Sequence, residues 1–364
     1  MALISVVMPV FNEEKYIREC LDGLVNQTLS DIEIICVDDG STDNTPEILK
    51  EYAVKDARFR ILQQPNSGAG IARNYGRTFA SGDYIIFLDS DDIYEPEMLE
   101  KLYRIAVTDN LDIAVCRSDR IDTNTREHIV CNWTIKDKLL PDHKPFSSRE
   151  IEQNFFMVFV WWPWDKLYKK AFIDTLELEF QDLRTTNDLY FVAGSVLKAE
   201  RISYIDDVLV HHRVGMGDSL SVTREKSWNC FFYALLQLRR FMQKEHIYQR
   251  LEKDFINYCL HFALWQLESL HGYSYCLLYK ALHDEWFEIL TVKNHTAGYF
   301  YDKKLFEKMK RIVTIDLEHH MMERIWKLEK ETGLTSAVDI DRYIAERVWE
   351  LEKRAEALKI SNIK

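Results

Sequence analysis

Three apolar runs of strand length, each running directly into polar or acidic residues, constrain this chain more than any other feature. They are LISVVMPV (3–10), IEIICV (32–37) and YIIFL (84–88), which lead into FNEE, DDGS and DSDD. An unbroken apolar strand is buried on both faces, which is the condition of a strand inside a helix-covered parallel sheet. Helical patterns lie between them. Tyr16, Ile17, Cys20, Leu21, Leu24 and Val25 recur at helical spacing after the first run. Pro46 stands at the start of the next helix, where its missing N–H costs nothing. A third strand over 59–62, a helix over 69–79, a helix from Pro96 and a fifth strand LDIAVC (111–116) continue the alternation. The expected fold is therefore α/β, a Rossmann-like, mainly parallel sheet flanked by helices.

Beyond residue 116 the rhythm weakens. Residues 117–147 read as a loop or edge hairpin. Ser147 and Glu150 form a capping-box pattern for a helix through Phe156. An aromatic stretch WWPWDKLY follows, then a helix over 188–198 and strand material ISYIDDVLVHH. From Glu225 the pattern is helical and aromatic-rich. The expected division is residues 1–222 as the catalytic domain and 223–364 as a mostly helical C-terminal extension. The tail holds a weak repeat, ERIWKLEK (323–330) and ERVWELEK (346–353), which offers an intramolecular packing face, an oligomer contact or a membrane contact.

Composition narrows the function. A net charge of −12 over 364 residues argues against a nucleic-acid binder. The seven cysteines are scattered and form no CxxC pair, as expected of free thiols in a reducing compartment. Met1–Val10 lacks a basic n-region, and no apolar run reaches the roughly 18 residues of a membrane span. These features predict a cytoplasmic protein, with peripheral contact at the inner membrane face left open.

In an open parallel sheet, ligands sit beyond the carboxyl ends of the strands. Here those ends supply Pro9, Phe11 and Glu13; Asp38 and Asp39; and Asp89, Ser90, Asp91 and Asp92. The first strand–helix turn, VFNEEKY, has no glycine, so a dinucleotide fingerprint is absent. Gly68 and Gly70 lie after the third strand and let a ligand approach the backbone, with Arg73 one helical turn on. Acids at alternate positions ending a buried strand need pairing, water or a cation. Their hard oxygens suit Mg2+ or Mn2+, which would offset the charge of a leaving diphosphate.

These residues resemble family 2 glycosyltransferases, inverting enzymes of the GT-A fold. The matching segments are VVMPVFNEEKYI, LVNQTLSDIEIICVDDGSTDNT, NSGAGIARNYG and A-x-GDYIIFLDSDD, spanning roughly residues 3–100 in the family's order. The resemblance implies that Pro9, Phe11 and Glu13 line the nucleotide pocket with Gly68. It places Asp38 on the uracil of a uridine nucleotide and Arg73 on base or phosphate. Asp89 would bind ribose or sugar hydroxyls beside Ser90, and Asp91 would ligate the metal, completed by His212. The catalytic base falls on Asp188 in TTNDLYF, where Asn187 replaces the family's usual glutamate. Arg213 and Ser219, in a segment resembling the family's donor-covering loop, would reach the diphosphate. Trp161, Trp162 and Trp164 serve either as core or as a stacking surface for acceptor sugar.

The implied reaction moves a sugar from a nucleoside-diphosphate donor to a hydroxyl of a surface or lipid-linked glycan. One carboxylate base suffices for such an inversion. Two other readings compete: a sugar-nucleotide nucleotidyltransferase, which would need a Gly-rich basic loop after the first strand, and a catalytically inactive glycan-binding scaffold.

Overall fold

The computed structural model describes residues 2–215 and 224–332. Chain contacts divide it into two units, 1–312 and 313–364. In the first, the apolar runs form β1 (Ile4–Val10), β2 (Ile32–Asp38) and β4 (Tyr84–Phe87), with β3 (Phe59–Gln63) at the edge. All seven residues of β1 are buried, as its unbroken apolar run requires. Between them stand α1 (Ile17–Val25), α2 (Thr45–Lys55) and α3 (Ala69–Arg77). The remaining strands are β5 (Ile93–Tyr94), β6 (Ile113–Asp122), β7 (His128–Ile129), β8 (Lys166–Lys169) and β9 (Ile202–Val214).

The sheet runs β3-β2-β1-β4-β8-β6-β9-β5, with β7 paired to β6. The β1–β2, β1–β4, β2–β3 and β6–β9 pairs are parallel. β8 is antiparallel to both β4 and β6, and β5 is antiparallel to β9. The sheet is thus mixed, and mostly parallel on its N-terminal side. Strand order reverses about β1, whose neighbours are β2 and β4, and crevices form at such reversals. The β1–β2 register sets Val10 against Asp38, while β1–β4 sets Val7 against Phe87. Three parallel strands therefore deliver their acidic ends to one sheet edge.

One expectation is met in part and one is corrected. Of the loop or edge hairpin expected over 117–147, the hairpin forms: β6 continues in parallel with β9 to Asp122↔Val214 and then turns back into β7. The Ser147–Glu150 capping box forms, but it caps only a 3₁₀ turn over Ser148–Glu150. The chain then becomes extended at Ile151 and left-handed at Asn154, so no continuous helix runs from the box to Phe156, which lies in a separate 3₁₀ turn over Phe155–Met157. Phe155, Phe156 and Trp161 are buried instead, and that packing overrides the local helix signal.

After α4 (Met98–Thr108), α5 (Lys170–Asp174) and α6 (Leu189–Lys198), the first unit is completed by helices, chiefly α7 (Cys230–Lys244), α8 (Tyr248–Ser269), α9 (Gly272–Ala281) and α10 (Phe287–Ile289). α11 (Lys303–Thr314) follows. No strand is found after Val214 among the described residues. Asp254 on α8 ties these helices back to the segment before β8. Asp254 accepts hydrogen bonds from the Phe155 amide at 3.0 Å and the Tyr301 hydroxyl at 2.6 Å. The cysteines are all free, and six of them are buried. Among described residues no helix is long and apolar enough to cross a membrane. In the second unit the described helix is α12 (Leu317–Thr332), which carries the first copy of the tail repeat as far as the structure describes it. The second copy, 346–353, and Ser219 lie outside the described residues.

Candidate active site

The β2 end carries two acids with different tasks. Asp38 is buried and accepts from the Ser41 amide at 3.0 Å and the Gln63 side chain at 3.2 Å. Asp39 accepts from the amides of Ser67 and Gly68, both at 2.8 Å, and from Gln64 at 2.7 Å. It thereby ties the loop before α3 to the β2 end. Gly68 sits at φ +89°, a backbone conformation costly for side-chain-bearing residues, with open space where a Cβ would stand. Pro9 is buried within β1, while Phe11 is 42% exposed just beyond it. Glu13 follows at the helix entrance, where Thr45 accepts from its amide at 2.8 Å. Burial, aided by Asp89, Asp43 and Asp92, pushes the Glu13 carboxyl up to about 7.

α3 projects Arg73 across the sheet edge. Its guanidinium is nearly buried, donates to Asn187 at 2.9 Å and pairs with Asp89. One arginine thus joins the β4 end to the segment before α6. Gly70, one turn earlier, permits this approach: a Cβ there would stand 2.4 Å from the Gln181 carbonyl and 3.2 Å from Asn187. The uncharged Asn187 accepts the Arg73 contact without adding negative charge beside Asp188.

Asp188 is the N-cap residue of α6, and no side-chain cap bond occupies its carboxylate. Its carboxyl is pushed up to about 6. Burial is the main cause; Arg73 and the amides at the helix start pull the other way. A carboxylate so placed is ionised near neutrality yet basic enough to accept a proton.

Asp89, Asp91 and Asp92 converge, with ligand-capable oxygens within 4.8 Å of one another. Ser90 is buried among them. Burial, with Asp92, Asp89 and Glu13, holds the Asp91 carboxyl well above its usual range. Such a set of hard oxygens suits Mg2+ or Mn2+. His212 stands beside it, its Nδ1 3.0 Å from Asp92, which leaves Nε2 for a ligand. Burial lowers the affinity of His212 for a proton, but Asp92, Asp91 and Asp89 outweigh it and raise the group to about 9. The field that draws a proton there would equally draw a cation.

The contacts of several residues here were not visible in the sequence. Asp92 is fully buried and also accepts from the Arg213 amide at 2.9 Å. Arg213 donates to the Asp91 carbonyl at 2.7 Å and to Glu19 at 2.9 Å. It fixes the DSDD turn because β9 and the turn pack directly together. Trp164 is buried and stacks on His212 at 5.6 Å, with Trp162 stacked on Trp164 at 4.5 Å. Trp161 is core. Trp162 also meets the 41%-exposed Trp133 edge-on at 5.5 Å, so an aromatic series runs from His212 to the surface. The neighbouring His211 faces away from His212, as successive strand residues do, and contacts Asp119 and Glu95.

An α/β sheet whose reversal point gathers metal-competent acids, an arginine and a helix-cap carboxylate has the kinds of group that a nucleotide-sugar transferase site uses. Comparison with known proteins agrees. Residues 5–160 match the family described as glycosyl transferase family 2. The uncharacterized glycosyltransferase EpsJ of Bacillus subtilis is 35% identical over 212 residues, 58% of this chain and 61% of EpsJ. The chain thus spans less than two thirds of that relative. Glycosyltransferase GlyG of Streptococcus pneumoniae is 32% identical over 233 residues, 62% of this chain and 75% of GlyG. In fold, the chain is similar to S. aureus TarS 1–349 solved with UDP-GlcNAc, at TM-score 0.55 and 21% identity, covering 83% of this chain and 93% of that one. The chain belongs to glycosyltransferase family 2 and has its GT-A fold.

Proposed function

We propose that this protein is an inverting, metal-dependent glycosyltransferase that uses a uridine-diphosphate sugar and glycosylates a hydroxyl of a surface or lipid-linked glycan. The observation that carries this reading is the pairing of the Asp89-Asp91-Asp92 cluster with Asp188, two sets of carboxylates linked through the single Arg73–Asn187 bridge. UDP-GlcNAc bound to TarS supports the donor class.

The residues divide the work. Pro9, Phe11, Glu13, Asp38 and Gly68 line the nucleotide side, Arg73 contacts base or phosphate, and Asp89 and Ser90 meet the ribose or sugar hydroxyls. Asp91 and His212 would hold a divalent cation, which when bound supplies charge to stabilise the leaving diphosphate. Asp188 takes the acceptor hydroxyl's proton as that oxygen bonds to the anomeric carbon. The carbon–oxygen bond to the diphosphate breaks in the same displacement, so configuration inverts and no covalent enzyme intermediate forms. Residues 1–222 carry donor and chemistry, and the helices from 223 carry acceptor, oligomer or inner-membrane contacts of a cytoplasmic enzyme.

A thermal-shift screen of nucleotide sugars with and without Mn2+ tests the reading. A uridine-diphosphate sugar raises the Tm only with metal, and Asp91→Asn removes the rise, because stabilisation reports ligand affinity directly. Turnover of a nucleoside triphosphate with release of pyrophosphate would favour a nucleotidyltransferase. No stabilisation and no donor turnover would leave a glycan-binding scaffold.

A further inference from the structure

A second group of metal-competent side chains lies on the opposite face of β9 from His212. Asp119 on β6, His128 on β7 and His211 on β9 offer ligand atoms within 4.8 Å of one another. His211 Nδ1 is 2.5 Å from one Asp119 oxygen, and His128 Nδ1 is 2.9 Å from the other. The two imidazoles meet perpendicular, 4.7 Å apart. Asp119 and His211 are 8% and 7% exposed, while His128 closes the group from the surface.

The hydrogen-bond chemistry of this group suits positive charge, carried either by a second proton on His211 or by a metal ion. A neutral imidazole has one N–H, yet His211 presents both ring nitrogens to carboxylates, Nδ1 to Asp119 and Nε2 to Glu95 at 2.8 Å. With the proton on Nε2, Glu95 fixes the tautomer, and the Nδ1 lone pair then points at Asp119. His128 Nδ1 points at the same carboxylate. With both Nδ1 atoms unprotonated, two nitrogen lone pairs and a carboxylate face one small space, which is settled either by Nδ1–H on each ring donating to Asp119 or by a metal ion. A histidine whose outer nitrogen donates to a carboxylate is the usual form of a metal-ligating histidine.

We propose that Asp119, His128 and His211 bind a zinc ion, with Glu95 positioning His211 from outside. Two imidazoles and one carboxylate favour Zn2+ over Mg2+. Binding uses deprotonated ligands, so any proton held between the rings and Asp119 is released to solvent. The ion would pin the β6–β7 hairpin to β9, the strand that carries His212 on its other face. This site is independent of the donor-side cluster and of the reaction assigned to it.

The test uses the untagged, metal-stripped full chain carrying Asp91→Asn and His212→Asn, so that the donor-side cluster is dismantled. Calorimetric titration with ZnCl2 should give one zinc per chain and a raised Tm. Adding His128→Gln, an exposed position that leaves the core intact, should weaken zinc binding at least tenfold. Glu95→Gln should weaken it about tenfold, the usual cost of losing an outer partner. Circular dichroism checks that each variant keeps its fold. Absence of zinc binding in the parent, or unchanged affinity in His128→Gln, would overturn the proposal.

Discussion

In the proposed mechanism Asp188, as the base, sets the expected pH behaviour. Its carboxyl is raised from 3.8 to about 6, chiefly by burial. A general base must be ionised to act, so kcat/KM should fall about tenfold per pH unit below about 6 and level off above it. A pH–rate profile of donor turnover checks this, and a flat profile from pH 5 to 7 would remove Asp188 from the role. Much of the site was legible at this scale because it lies at strand ends, where acids following an apolar run have few structural uses. Asp38, Asp89 and Asp91 stood out for that reason. The tasks of Asp92 and Arg213 did not, because both depend on β9 returning to the DSDD turn from more than 120 residues away. A third acid in DSDD was the sole hint.

At the scale of elements, α3 and the segment before α6 must approach closely for Arg73 to reach Asn187. Gly70→Ala would put a methyl 2.4 Å from the Gln181 carbonyl, a backbone atom with little freedom to yield. We expect a loss of about 1–3 kcal/mol from overpacking, read as a lower urea midpoint. Turnover should fall with it, because the displaced segment carries Asp188. Unchanged stability and turnover would show that the approach is not tight. The buried strands of the N-terminal sheet were legible from apolar runs alone. Only the first half of β6 was, as LDIAVC, because its second half, RSDRID, is polar. Ser118 and Asp119 are buried there and Asp119 is paired with two histidines, a compensation that only tertiary structure supplies. The capping box failed as a helix signal for the complementary reason: the local bonds form, but the apolar residues after them pack elsewhere.

For the whole molecule, the first unit closes near Ile312, and its core includes α7 and α8 together with the sheet. A chain ending at Asp316 should keep donor binding and a Tm within a few degrees of the full chain, while transfer to a glycan acceptor declines. Loss of donor binding on truncation would instead make the tail part of the donor site. The proposed chemistry as a whole rests on one carboxylate acting without a covalent partner. The most direct test is the anomer first released from a uridine-diphosphate sugar when water serves as acceptor, followed by NMR before mutarotation. The expected product is an inverted sugar, formed only with Mn2+ or Mg2+ and reduced about 10²–10⁴-fold in Asp188→Asn. A first product with retained configuration, or full turnover in Asp188→Asn, would contradict it.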